Sequence, residues 1–165
     1  MYADDIRSAA ADIVAGLKRA GLKVVTAESC TGGLVAGALT EIPGSSAVFD
    51  RGFITYSNEA KIAALGVGPD LIARHGAVSA EVAVAMAEGA RARSLAQLAV
   101  AITGIAGPGG ATATKPVGLV HLAVARADGP TVVEEHRYGD LGRTEVREAA
   151  VRTALSMLGA ALNRV

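Results

Sequence analysis

Leu22-Lys23-Val24-Val25-Thr26-Ala27-Glu28-Ser29-Cys30-Thr31-Gly32-Gly33-Leu34-Val35-Ala36-Gly37-Ala38-Leu39 decides how this chain folds. Leu22 to Val25 reads as a short buried strand, and Leu34 to Leu39 carries apolar residues at i, i+1, i+4 and i+5, the spacing of a helix. Between them, Thr26 to Gly33 brings an acid, a hydroxyl and a thiol to a strand-to-helix junction. Ser29 is expected where the helix begins, as its N-cap or as a nucleophile, two roles that share one location. Unpaired backbone N–H groups and the peptide dipoles at such an end stabilise negative charge, and Gly32 and Gly33 leave room for a ligand against the backbone.

The elements on either side set the fold class. Ile6, Ala9, Ala10, Ile13, Val14 and Leu17 follow the helical period and Gly21 supplies the stop. Ala47 to Tyr56 reads as extended, with a bulge or turn at Arg51-Gly52. Ser57 or Asn58 caps a short helix that Gly66 ends, a helical turn spans Pro69 to Arg74, and Ser79 caps a helix with Val82, Ala85, Met86 and Ala90 on one face. Leu98 to Ile102 is an unbroken apolar run, expected of a central strand covered on both faces. It enters a glycine-rich loop, Thr103 to Gly110. Val117 to Ala125 and Thr131 to Tyr138 form a hairpin joined by Asp128-Gly129-Pro130, and a last helix starts at about Arg143. Helices alternating with strands and a late antiparallel hairpin predict an α/β fold: a three-layer α/β/α single domain with a mixed sheet, spanning residues 1–165.

Bulk properties narrow the function classes. A chain of 165 residues, 51% hydrophobic, holds one ordinary core and buries roughly 68–70% of its unfolded surface. Sixteen basic residues balance sixteen acidic ones, which disfavours nucleic acid or an anionic membrane as partner and favours a small molecule or a protein. The single cysteine, Cys30, excludes an intrachain disulfide and suits a reducing compartment. The opening Asp4-Asp5-Ile6-Arg7 is unlike a secretory signal, so a cytoplasmic location is expected. The uncharged stretch Ser94 to Thr114 fails as a membrane span because its apolar part is about one strand long, against the ~20 apolar residues a span needs. Aromatic residues are 3% and charged residues 19%, so the core is built from Ala, Val, Leu and Ile, and burial in an oligomer is expected.

Lys61 is the candidate base for Ser29. It follows Tyr56-Ser57-Asn58-Glu59-Ala60 near the first turn of a short helix, where the dipole disfavours a cation. Moving a lysine from about 10.4 to the ~7–8 of a useful base takes ~4 kcal/mol. The dipole supplies about 0.3–1 kcal/mol, so burial must supply the rest. The expectation is a largely buried Lys61 facing Ser29, against the alternative of an ordinary surface lysine. Cys30 is the rival nucleophile, because a thiol at a helix start can have a lowered pKa. His75, His121 and His136 sit in separate elements without metal-ligand spacing and read as polar surface or turn residues.

The loop from Thr103 to Gly110 matches neither the dinucleotide turn nor a Walker loop. It is either a wide turn or an anion nest with Lys115 nearby. Arg143 and Arg147, one helical turn apart, either clamp a phosphate or pair with Glu145 and Glu148 on a solvated face.

Several motifs in order resemble the CinA C-terminal domain family, which includes nicotinamide-mononucleotide deamidases (PncC amidohydrolases). They are Ala27 to Gly33, Pro43 to Ser46, Arg51 to Lys61, His75 to Ser79, Thr103 to Pro108 and Lys115 to Gly118. The resemblance implies hydrolysis of the carboxamide of nicotinamide mononucleotide to nicotinate mononucleotide and ammonia, without metal or other cofactor. Ser29 attacks, Lys61 takes its proton, Tyr56 orients or relays, and backbone N–H groups at Cys30, Thr31 and Gly32 hold the oxyanion. Thr103, Gly104, Ala106 and Gly107 line the substrate site, an arginine of the last helix (Arg143 or Arg147) meets the phosphate, and the chain pairs as a homodimer. The chain departs from the pattern at Gly107-Pro108-Gly109-Gly110-Ala111, where many relatives have an acidic residue after the proline. It also departs at Gly139-Asp140-Leu141-Gly142-Arg143, which carries extra residues before the arginine. The molybdopterin-binding-like domain of longer relatives is expected to be absent, and its activity with it. Two other functions compete: a pocket that binds without turnover, and a serine amidase for another small amide.

Overall fold

The computed structural model describes residues 2–163. Helix α1 spans Asp4–Ala20 and buries Ile6, Ala10, Ile13, Val14 and Leu17. Gly21 ends it in the left-handed region, at φ 66°. Strand β1 is Val24–Glu28, longer at its C-terminal end than its apolar residues suggest, and every residue in it is buried. Helix α2 covers Leu34–Thr40 and a 3-10 turn covers Ser45–Ala47. Strand β2 is Phe49–Ile54, and its pairing with β1 skips Asp50, so the irregularity precedes Arg51-Gly52. Ser57 caps α3 (Asn58–Leu65), its side chain accepting from the Ala60 N–H, and Gly66 ends it. Helices α4 (Pro69–His75) and α5 (Ala80–Ala92) follow, the latter capped by Ser79.

Strand β3 (Leu98–Gly104) is buried from Leu98 to Thr103 and lies at the centre of the sheet, as its apolar run requires. Strands β4 (Leu119–Arg126) and β5 (Gly129–Arg137) form the hairpin, with Gly129 and Pro130 inside β5 rather than in the turn. Helix α6 covers Arg143–Leu162. The five strands run in the order β2-β1-β3-β4-β5. β2, β1 and β3 are parallel, and β4 and β5 continue antiparallel. The sheet is therefore mixed.

Alternate residues of each strand supply two cores. Val24, Leu98, Val100, Ile102, Val120, Leu122 and Val124 pack with α1, α2 and α6, whereas Val25, Ala27, Ala99, Ala101, Ala123 and Ala125 pack with α5. The second set is mostly alanine, which lets α5 lie close to the sheet. β1 connects through α2 on one face to β2 on one side, and β2 returns through helices on the other face to β3. This reversal makes the carboxyl ends of β1 and β3 a topological switch point, where open α/β sheets bind ligands. Among the described residues no helix is long and apolar enough to cross a membrane.

Candidate active site

The residue after β1 is Ser29, and its N–H donates to the Ile102 carbonyl of β3 at 3.0 Å, which fastens it to the switch point. It is not a helix cap. Helix α2 starts five residues later with Gly33 as N-cap at φ 99°, and its orphan N–H groups are taken by Glu28. One Glu28 carboxylate oxygen accepts from Gly33 and Val35 at 3.1 and 3.0 Å, and the other accepts from Ala36 at 2.8 Å. The helix dipole is thus spent on a buried side chain rather than offered to a ligand. Glu28 was missed in the sequence because a cap is sought just before the helix, whereas this acid reaches it from the preceding strand.

Ser29 itself sits in a tight turn from Ser29 to Gly33. The Gly32 N–H donates back to the Ser29 carbonyl at 3.0 Å, so it is not free for an oxyanion. The Cys30 and Thr31 N–H groups have no acceptor among the described residues. The room expected beside Gly32 and Gly33 is filled: a Cβ there would lie 3.4 Å from Arg147 Nη2 and 3.1 Å from Ile54 Cδ1.

Lys61, in the first turns of α3, is 1% exposed. Its Nζ donates to Ser29 Oγ at 3.1 Å and to the Thr55 carbonyl at 2.8 Å. Among the described residues no carboxylate forms an ion pair with it. Burial pushes its pKa below the ordinary lysine value, outweighing the opposing influence of the nearby Cys30. That is the environment in which a lysine loses its proton and holds a lone pair towards a hydroxyl.

Cys30 is 5% exposed and burial pushes its thiol up to about 11. A thiolate at a helix start is not what the turn provides. His121 also differs from its surface reading. It is 6% exposed on β4, which helices cover on both faces; burial lowers its pKa, and its Nε2 lies 3.8 Å from Glu135.

A cleft of about 240 Å³ opens over Ser29, Lys61 and the end of β3, walled by Thr103, Gly104, Ala106 and Gly107, with Tyr56 and Arg143 at its mouth. Gly104 is required there, since a Cβ would fall 2.9 Å from the Leu119 carbonyl oxygen. Thr103 is buried and donates to the Ala77 carbonyl at 2.8 Å. Tyr56 is 59% exposed. Its hydroxyl accepts from Arg143 Nη2 at 2.9 Å and makes no hydrogen bond to Ser29 or Lys61, which argues against a relay between them. Arg143 also donates to the Gly107 carbonyl at 2.9 Å, tying α6 to the glycine loop.

Arg147 neither lines the cleft nor pairs with Glu145 or Glu148, so neither sequence reading describes it. Its Nε donates to the Cys30 carbonyl at 3.0 Å and its Nη2 to the Thr31 carbonyl at 3.1 Å. Lys115 is likewise drawn away from the loop's anion side, donating to the carbonyls of His75 and Val78 at 2.6 Å each. A larger groove of about 620 Å³ lies between α1 and α6, but no lysine or histidine lines it to activate its Ser156, and its Arg152 is engaged by Asp5 and Glu148. Among the described residues no group of three or more His, Cys, Asp or Glu is arranged to hold a metal ion.

Fold and cleft together define a three-layer α/β domain with a buried serine–lysine pair at the carboxyl ends of its parallel strands. The chain belongs to the CinA C-terminal domain family, whose sequence pattern matches residues 6–162. It is 52% identical over 152 residues to a CinA-like protein of Parasynechococcus marenigrum, covering 92% of this chain and 36% of that protein. It is also 52% identical over 150 residues to a CinA-like protein of Anaeromyxobacter dehalogenans, covering 91% of this chain and 36% of that protein. The chain therefore spans little more than a third of the length of these relatives. The crystal structure of the competence/damage inducible protein CihA from Agrobacterium tumefaciens superposes with a TM-score of 0.96 at 59% identity, covering 99% of this chain and 98% of that one. A competence-damaged protein (CinA) superfamily protein from Klebsiella pneumoniae gives 0.92 at 33%, covering 97% and 99%.

Proposed function

We propose that this domain hydrolyses the carboxamide of nicotinamide mononucleotide to nicotinate mononucleotide and ammonia. The observation that carries the reading is the buried, carboxylate-free Lys61 with its Nζ 3.1 Å from Ser29 Oγ. A pocket that only binds has no use for such a pair, which costs burial energy to keep.

Neutral Lys61 takes the Ser29 proton as Oγ attacks the amide carbon. The Thr55 carbonyl holds one N–H of the amine and leaves its lone pair for the hydroxyl. The tetrahedral oxyanion meets the N–H groups of Cys30 and Thr31. Its collapse breaks the C–N bond, and the Lys61 ammonium gives its proton to the departing nitrogen, which leaves as ammonia. Water then attacks the Ser29 ester while Lys61 takes the water's proton. The C–Oγ bond breaks, the carboxylic acid leaves and Ser29 regains a proton.

A cleft of about 240 Å³ is smaller than the ~300–1,000 Å³ that engulfs a drug-sized ligand. It suits the pyridine carboxamide and ribose, and leaves the phosphate at the mouth, where Arg143 and Tyr56 stand. The reading also takes the protein as a cytoplasmic homodimer. The exposure of Ile54 (60%) and Leu141 (57%) supports pairing, and sedimentation equilibrium tests it.

Ammonia release from nicotinamide mononucleotide, with Lys61→Ala as control and a chelator in parallel, tests the function. Turnover abolished by Lys61→Ala and indifferent to chelator is expected. No release by wild type favours a binding domain, release only from other small amides favours a different amidase, and chelator sensitivity contradicts a metal-free mechanism.

A further inference from the structure

Arg147 is half-buried on α6, one helical turn beyond Arg143. Among the described residues it has no carboxylate partner. Its hydrogen bonds run to the carbonyls of Cys30 and Thr31, the two residues after the nucleophile. Across a planar trans peptide the C=O of one residue and the N–H of the next point in opposite directions. Holding the Cys30 carbonyl therefore turns the Thr31 N–H to the side away from the arginine. Holding the Thr31 carbonyl orients the Gly32 N–H, which closes the turn on the Ser29 carbonyl. That closure in turn fixes the Ser29–Cys30 peptide and the Cys30 N–H. One planar fork thus sets three successive peptide planes.

We propose that Arg147 is a positioning residue for the reaction at Ser29, its guanidinium holding the peptide planes whose N–H groups at Cys30 and Thr31 receive the oxyanion. The proposal rests on the amidohydrolase reading above. The charge contributes as well as the geometry. A cation on a peptide carbonyl draws electron density from the N–H of the same unit, so a hydrogen bond donated there strengthens. The effect falls on the transition state, where the negative charge is, and little on bound substrate. A lysine supplies the charge without the fixed fork.

The test compares wild type, Arg147→Ala and Arg147→Lys for ammonia release, with and without added ethylguanidinium. Removing a direct oxyanion donor costs about 10²–10³ in kcat, so loss of its positioner is expected to cost roughly 10–10². KM stays within about twofold, the acid limb of the pH profile set by Lys61 does not move, and ethylguanidinium restores part of kcat in Arg147→Ala. Arg147→Lys, which keeps the charge and supports folding, remains about tenfold down. A loss confined to KM, or a folded variant with wild-type kcat, overturns the role, since a merely structural arginine lowers thermal stability alone.

A second readout does not depend on the substrate: the rate at which a fluorophosphonate labels Ser29, whose phosphoryl oxygen occupies the same N–H groups. The same ratio between wild type and variants is expected. Wild type that is labelled at Ser29 but releases no ammonia removes the substrate reading alone, and the labelling ratio still decides Arg147. Equal labelling of wild type and Arg147→Lys overturns the Arg147 role whatever the substrate.

Discussion

Lys61 Nζ lies 3.1 Å from Ser29 Oγ, 32 residues away in sequence, and the lysine is 1% exposed. The pair is joined by topology: Ser29 directly follows β1, and Lys61 belongs to the helix that follows β2, the strand beside it.

Burial holds Lys61 below the ordinary lysine value of 10.5, so its neutral fraction, and kcat/KM with it, rises with pH through the lowered value. The unfolded chain keeps the ordinary value and binds the extra proton between the two. Stability therefore also rises with pH across the window that ends near 10.5, and not below the lowered value, where both states are protonated. Rate profiles, and thermal melts of wild type against Lys61→Met, show both slopes; a lysine contribution that falls with rising pH contradicts the sign.

With its thiol pushed up to about 11, Cys30 is neutral at working pH and packed in the core. Cys30→Ala should keep kcat within about threefold while losing about 1 kcal/mol of stability from the vacated volume. Iodoacetamide at pH 8 should leave the wild-type activity intact, measured as residual ammonia release.

Glu28 accepts from three N–H groups of the turn and of α2. In Glu28→Gln one oxygen becomes an NH2 that faces an N–H, losing a charge-assisted bond and stranding a donor. A cost of roughly 2–3 kcal/mol is expected, or about 4–12 °C in Tm for a domain of this size, read by calorimetry.

Arg143, at the mouth, is assigned to the phosphate. Arg143→Ala should raise KM for nicotinamide mononucleotide by about tenfold or more and leave KM for the nucleoside nearly unchanged. Equal effects on both substrates would move the phosphate elsewhere.

The layers were legible because Leu98 to Ile102 is apolar without a break and the flanking helices keep their period. The end of β1 was not, since Thr26-Ala27-Glu28 is polar by composition and buried only because Glu28 finds N–H groups several residues ahead. Lys61 was identified by asking what keeps a lysine neutral, an argument about energy that leaves its neighbours open. Helical spacing offers Arg147 either a phosphate shared with Arg143 or pairing with Glu145 and Glu148, while the packing of α6 against the Ser29 turn gives it two carbonyls. His121 reads as a surface residue only if β4 has an open face, and helices cover both.

Single-turnover ammonia release from nicotinamide mononucleotide by wild type and Ser29→Ala, enzyme in excess, tests the central claim most directly. Wild type should release one equivalent per substrate, and Ser29→Ala should be slower by about 10⁴-fold or more, as removal of a nucleophile requires. Release by Ser29→Ala within tenfold of wild type would contradict the account.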